Sequence, residues 1–450
     1  MKKKHYSRRK FIATVSIGSI GAMAAGSISP FKNISFVESS NADKLAILGG
    51  TPVAPNKVWP DWPYVDHDMI NQISKTVRSG IWSRIQSQTG TVPTFEKEYA
   101  ALMGTKRCVA TGSGTQALSS CVEAMGIGAG DEVITSPYTD MGTVSSILTA
   151  RALPVLADLD PESYQLDPAD VERKITAKTK AIMPVHMMGQ PCDIKSIMSI
   201  AKRHKLKVIE DACQAHFAKF EGKTLGTIGD VGCFSFQSSK TIACGEGGAV
   251  IGNDEKLMDL AFMVMMNGRA KITGTKYRMN ELEGAILLGQ LSGAKERFNL
   301  RNRNAKYLTS KLKGFPGVVP QKLYPGTDSG SFYLYPMSYK KEHFNNADRS
   351  KFLKAMQAEG INLSPYIANG LHREPWTDYI MNLKEYKKMY SPERLNKYRE
   401  DLKLPKTDQV CEEMVMIWAS GPLLGSQSDM DDIINAIMKV YDNRDQLHLI

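Results

Sequence analysis

Residues 208–253 read VIEDACQAHFAKFEGKTLGTIGDVGCFSFQSSKTIACGEGGAVIGN. Two apolar runs here each end in polar residues. Val208-Ile209 stops at Glu210-Asp211, and Cys233-Phe234-Ser235-Phe236 leads to Ser239-Lys240. A glycine patch, Gly245 to Gly248, then feeds a third apolar run, Ala249-Val250-Ile251. Asp211 falls where an α/β sheet presents ligands, just past the carboxyl end of a strand. Lys240 has no basic neighbour in its segment, and an amine that loses solvent there becomes a nucleophile. A lysine that forms a Schiff base, with an acid that pairs with a pyridinium nitrogen, is what a protein contributes to pyridoxal phosphate chemistry. An ordinary strand–turn–strand with a solvated lysine fits the spacing equally well.

Strands and helices alternate outward from this stretch. Short apolar runs at 108–111, 132–135, 154–157, 181–186 and 207–210 predict strands. Helical periodicity covers 116–125, 143–149 and 194–204 between them. That alternation predicts a mostly parallel sheet covered on both faces. Gly112-Ser113-Gly114-Thr115 lies between a strand and a helix, and free N–H groups at such a helix start form an anion site. Further on, helices are expected at 68–79, 92–103, 256–266, 293–312, 347–359 and 428–442. Strands are expected at 332–339, 361–366 and 414–419.

Composition narrows the class. The chain has 450 residues, 42% hydrophobic and 23% charged, which is enough for more than one core of a globular enzyme. The formal charge of +10 falls to +4 without the six basic residues Lys2, Lys3, Lys4, Arg8, Arg9 and Lys10. The basic excess is thus a terminal feature, and no basic-aromatic patch points to nucleic acid. Ser7-Arg8-Arg9-Lys10-Phe11-Ile12, an apolar run to about Ala25 and small residues around Ala22-Met23-Ala24-Ala25 together look like a twin-arginine export signal. The run is shorter than a spanning helix needs. Export to the periplasm or beyond, without lasting membrane insertion, is the expectation. The seven cysteines contain no C-x-x-C pair, so no zinc site is expected, and most read as buried reduced thiols.

The central stretch resembles the DegT/DnrJ/StrS sugar aminotransferase family. The match runs in order through Glu210-Asp211-Ala212-Cys213-Gln214-Ala215-His216, Gly229-Asp230, Phe234-Ser235-Phe236, Lys240 and Gly245-Glu246-Gly247-Gly248. Gly114-Thr115, His186 with Gly189, the segment from Arg278 to Leu291 and Leu371-His372 extend it, so that it spans about 45–445. The resemblance implies an α/β fold-type I pyridoxal phosphate transferase with a seven-stranded, mostly parallel sheet and a smaller C-terminal α/β domain. The expected division is signal 1–25, linker 26–44, large domain 45–292 and small domain 293–450. Catalytic roles are implied for Lys240 and Asp211. Gly114, Thr115 and Ser235 would bind the cofactor phosphate, and Gln214 the ring hydroxyl. A homodimer is implied, with each site completed by its neighbour. The implied reaction moves an amino group from glutamate or glutamine to a keto sugar or keto cyclitol. Export tilts this towards an acceptor without a nucleotide. Within the family, the amino-cyclitol aminotransferases and aminohydroxybenzoate synthases look nearest. The alternatives are a lyase or dehydratase of the latter type, or a cofactor-binding regulator without turnover.

Two positions depart from the family pattern. Asp140 stands where an aromatic residue usually stacks on the cofactor ring, so either Tyr138 takes over the stacking or Asp140 meets substrate or a charged ring substituent. Lys276 replaces an Asn that usually reaches the phosphate from the partner subunit, a contact a Lys makes as a point charge.

Overall fold

The computed structural model describes residues 44–269 and 272–450. The expected export signal lies outside the described residues. The main sheet has seven strands: β1 (Arg107–Thr111), β2 (Glu132–Thr135), β3 (Leu153–Leu156), β4 (Thr179–Met183), β5 (Lys207–Asp211), β6 (Val231–Ser235) and β7 (Gly248–Gly252). Their order is β1-β7-β6-β5-β4-β2-β3. β7 runs antiparallel to both its neighbours and the other adjacent pairs are parallel, so six strands end at one edge. The strands are buried along nearly their whole length because helices cover both faces.

The helices obey local rules. α1 (His67–Ser79) starts at Asp66, whose side chain accepts the Met69 N–H, and stops at Gly80 with φ 66°. α2 (Thr91–Met103) ends at Gly104 in the same left-handed conformation. α3 (Gly114–Ala124) begins at Ser113, which accepts from the Gln116 N–H, and α4 (Met141–Thr149) begins at Asp140. α5 (Ile194–His204) returns the chain to β5.

A second core lies around an antiparallel three-stranded sheet, β8 (Val318–Pro320), β9 (Leu334–Tyr339) and β10 (Met414–Trp418). α6 (Ala294–Leu312), α7 (Arg349–Ala358) and α8 (Gln427–Asp442) pack there through Leu308, Phe352 and Ile433. Leu45, near the start of the described chain, is fully buried in this core. The strand expected at 361–366 is not formed. Ser364 makes a single bridge to Met416, and Pro365, which has no N–H, cannot extend it.

Residues 376–402 had no element assigned from sequence. They form three helices, Trp376–Asn382, Lys384–Met389 and Pro392–Asp401, which pack on the core of the first sheet. Their tyrosines protect its open edge. Tyr386 donates to the Ala152 carbonyl at 3.0 Å and Tyr398 to that of Pro154 at 2.9 Å. Lys174 donates to the Leu156 carbonyl at 2.6 Å. The outward carbonyls flanking and within β3 are thereby satisfied, and Pro154 offers no N–H on that side.

Candidate active site

The carboxyl ends of five parallel strands converge on a cavity of about 440 Å³. Ser113 to Thr115 follow β1, Thr139 to Thr143 follow β2, Val185 follows β4, Asp211 to Gln214 close β5, and Ser235 to Lys240 close β6. Tyr333 and Tyr366 enter from beside the second sheet. Of the residues read from sequence, Gly114, Thr115, Asp211, Gln214, Ser235 and Lys240 all line this one cavity.

Glu210 and Asp211 are consecutive and both buried, yet they do different work because successive side chains on a strand point to opposite faces. Glu210 accepts from the backbone N–H groups of Gly226, Ile228 and Gly229 at 2.6–2.7 Å, and from His186 Nε2 at 2.9 Å. It is spent on locking a turn, and His186 is spent with it. Asp211 faces the cavity. Its Oδ2 accepts from Thr143 Oγ1 at 2.8 Å and its Oδ1 from the Cys213 N–H at 3.2 Å. The carboxylate is thus held in one orientation with lone pairs left over.

Lys240 is half-buried, and its Nζ lies 4.2 Å from the centroid of the Tyr333 ring. The Tyr333 hydroxyl is bonded to Ser239 Oγ at 2.9 Å, so the ring is fixed. Gln214 is fixed at both ends. Its Oε1 accepts from the Met188 N–H at 2.7 Å and its Nε2 donates to the Tyr366 hydroxyl at 3.2 Å.

The anion cradle has a steric signature. A Cβ on Gly114 would come within 2.8 Å of Ser235 Cβ and 2.9 Å of Cys213 Sγ, so only glycine brings α3 this close. The first N–H groups of α3 open into the cavity beside the Ser235 hydroxyl. Ser235 is positioned from behind by His216, whose Nε2 donates to the Ser235 carbonyl at 2.9 Å. Its Nδ1 therefore accepts from the Tyr99 hydroxyl at 2.8 Å. Burial pushes the His216 pKa down to about 3 and keeps the ring neutral.

Two expectations need correction or restriction. Tyr138 does not take over ring stacking. Its side chain is fully buried, edge-on to Tyr366, and does not line the cavity. The Ser136 hydroxyl accepts its N–H and folds the turn inward, so the ring joins an apolar cluster with Leu159 and Met187. Asp140 does line the cavity, in the place left open. Lys276 is exposed, with φ 59°, and is not among the residues lining this chain's cavity. Thr143, Tyr333 and Tyr366 were not singled out from sequence. The two tyrosines arrive from the far end of the chain, where nothing local marks them.

These residues fit a phosphorylated pyridine. The cradle offers N–H and hydroxyl donors to an anion, a fixed carboxylate lines the same cavity, and an amine with no hydrogen-bond partner among the described residues opens into it. The comparisons with known proteins agree. The model of the DegT/DnrJ/EryC1/StrS aminotransferase family matches residues 63–419. A putative L-glutamine:3-amino-2,3-dideoxy-scyllo-inosose aminotransferase from Streptoalloteichus tenebrarius is 33% identical over 421 residues, covering 90% of this chain and 99% of that one. The L-glutamine:2-deoxy-scyllo-inosose aminotransferase of Streptomyces kanamyceticus is 34% identical over 429 residues, covering 90% and 98%. Among solved structures, 3-amino-5-hydroxybenzoic acid synthase superposes with a TM-score of 0.74 at 28% identity, over 85% of this chain and 98% of that one. An aminotransferase from Psychrobacter cryohalolentis gives 0.75 at 25% identity, over 86% and 99%.

Proposed function

The chain belongs to the DegT/DnrJ/EryC1/StrS aminotransferase family and is a pyridoxal phosphate-dependent aminotransferase; from that premise we propose that it moves the amino group of L-glutamine or L-glutamate to a keto cyclitol. One observation carries the assignment of roles: Asp211, Lys240 and the Gly114–Ser235 cradle open into a single cavity. The acceptor class rests on the relatives, whose names specify inosose acceptors and L-glutamine.

When bound, the cofactor supplies an electron sink and carries the amino group between the two substrates. The chain's own groups do the rest. The backbone N–H groups at Gly114 and Thr115, with the Ser235 hydroxyl, hold the phosphate. Asp211, oriented by Thr143, holds a proton on the ring nitrogen. Gln214 meets the ring hydroxyl. Lys240 would hold the cofactor through Nζ, and its amine would accept and return a proton at the reacting carbon.

The active form is a homodimer. Ile70, Val77, Ile81, Trp82 and Ile85 are all exposed along α1 and the segment after it, apolar side chains that a partner subunit would cover. Lys276, exposed on this chain, is the residue that would contact the cofactor phosphate of the partner subunit. The N-terminal sequence supports export by the twin-arginine route with the cofactor already loaded.

The test is spectroscopic. Protein purified with pyridoxal phosphate should absorb in the visible, and L-glutamine should bleach that band and release its keto acid. A keto cyclitol should restore the band. A bound cofactor that no amino donor bleaches would refute the assignment.

A further inference from the structure

We infer that Asp140 is a specificity residue which binds a protonated amino group on the acceptor, so that the preferred substrate is a keto cyclitol or keto sugar already carrying one amine. The inference rests on the proposed transamination and names the substrate class of that same site.

Asp140 caps α4, but capping uses only one of its oxygens. Oδ1 accepts from the Gly142 N–H at 2.8 Å. The residue is exposed and lines the cavity. The cap therefore fixes the direction of the carboxylate and leaves Oδ2 to a ligand. Thr115 Oγ1 and Asp140 Oδ1 lie 2.4 Å and 2.9 Å from where a Cβ on Gly142 would stand, so Asp140 borders the cradle.

The charge around it points to a cation. Among the described residues lining the cavity, Asp140, Asp211 and Glu246 are acidic and Lys240 alone is basic. Asp211 is committed to the ring nitrogen and Lys240 to the cofactor. That leaves two carboxylates with no cation from this chain. A hydroxyl on the acceptor would be met equally well by a neutral amide, whereas an ammonium gains charge-assisted hydrogen bonding only from an anion. A second phosphate or a nucleotide diphosphate would meet the same carboxylates with repulsion.

Asp140→Asn is the discriminating variant, because Asn caps a helix as well as Asp does. It removes the charge and keeps the fold. For wild-type holoenzyme, kcat/KM should favour an amino-substituted inosose over its hydroxyl counterpart. In D140N that preference should fall by about tenfold, mainly through KM for the amine. Calorimetric titration of the holoenzyme with an amino cyclitol lacking the ketone gives a readout without turnover, and its affinity should weaken by a similar factor in D140N. A wild type that prefers the hydroxyl acceptor, or a variant in which both acceptors lose the same factor, would overturn the inference while glutamine still bleaches the cofactor band. Failure to bind the cofactor at all would instead remove the proposed transamination itself, and this inference with it.

Discussion

Two lysines, one in each core, show how this fold separates structure from chemistry. Lys439, on α8, is 3% exposed. Its Nζ donates to Glu359 Oε2 at 2.8 Å and to the Thr51 carbonyl at 2.7 Å. Glu359 also accepts the N–H groups of Ala46 and Val53, so this pair clamps the start of the described chain onto the second core. Lys240 is less buried, yet among the described residues its Nζ meets the face of Tyr333 and no hydrogen-bond acceptor. A buried charge must be neutralised by partners, and the partners then consume it. An amine held over a ring at the wall of a cavity stays available. Availability, more than depth, marks the reactive lysine.

The largest effect should come from Lys240→Ala. Turnover should fall by about 10⁴-fold or more, as for removal of a residue that both binds the cofactor and moves the proton. Thermal stability should stay within a few degrees of wild type, since no hydrogen bond to Nζ is lost. Appreciable residual transamination with correct folding would break the contrast between the two lysines.

Lys439→Ala should do the opposite. It leaves Glu359 buried without its cation, which costs about 3–5 kcal/mol of stability. The midpoint of urea unfolding reads this directly. The surviving folded fraction should turn over at the wild-type rate, because the pair touches no residue of the cavity. A double variant, Glu359→Gln with Lys439→Met, should recover part of the loss, sharpening the claim that the stranded charge is what destabilises.

The sequence made one lysine legible and hid the other. Lys240 stands in an ordered series with Asp211, Gly229, Phe234 and the glycine patch, all within one supersecondary unit, so local spacing carries the signal. The alternation of strands and helices from 107 to 252 was readable for the same reason, because each element announces its own periodicity. Lys439 looks like a solvated helix residue, and only Glu359, 80 positions away, makes it buried. Tyr386 and Tyr398 likewise serve a strand edge more than 230 residues upstream. Tyr138 failed in the other direction. The family resemblance offered it as one candidate for stacking, but the turn at Ser136 sends it into the core and leaves Asp140 at the cavity. Long-range packing decided each of these, and short windows cannot contain it.

His216 is the intermediate case, fully satisfied like Lys439 but placed directly behind the cradle. Its folded pKa of about 3 lies below the roughly 6.5 of an unfolded histidine, because burial disfavours the imidazolium. Its neutral hydrogen bonds therefore contribute fully above pH 6.5 and are lost as pH falls towards 3. At pH 5 the loss is about 2 kcal/mol, at 1.36 kcal/mol per pH unit. Other carboxylates also titrate in that window, so the useful quantity is the stability gap between wild type and His216→Asn, a variant without a titrating ring. That gap should narrow by about 2 kcal/mol between pH 7.5 and pH 5. A constant gap would mean that the ring accepts a proton without strain, and that Tyr99 and the Ser235 carbonyl do not enforce the neutral form.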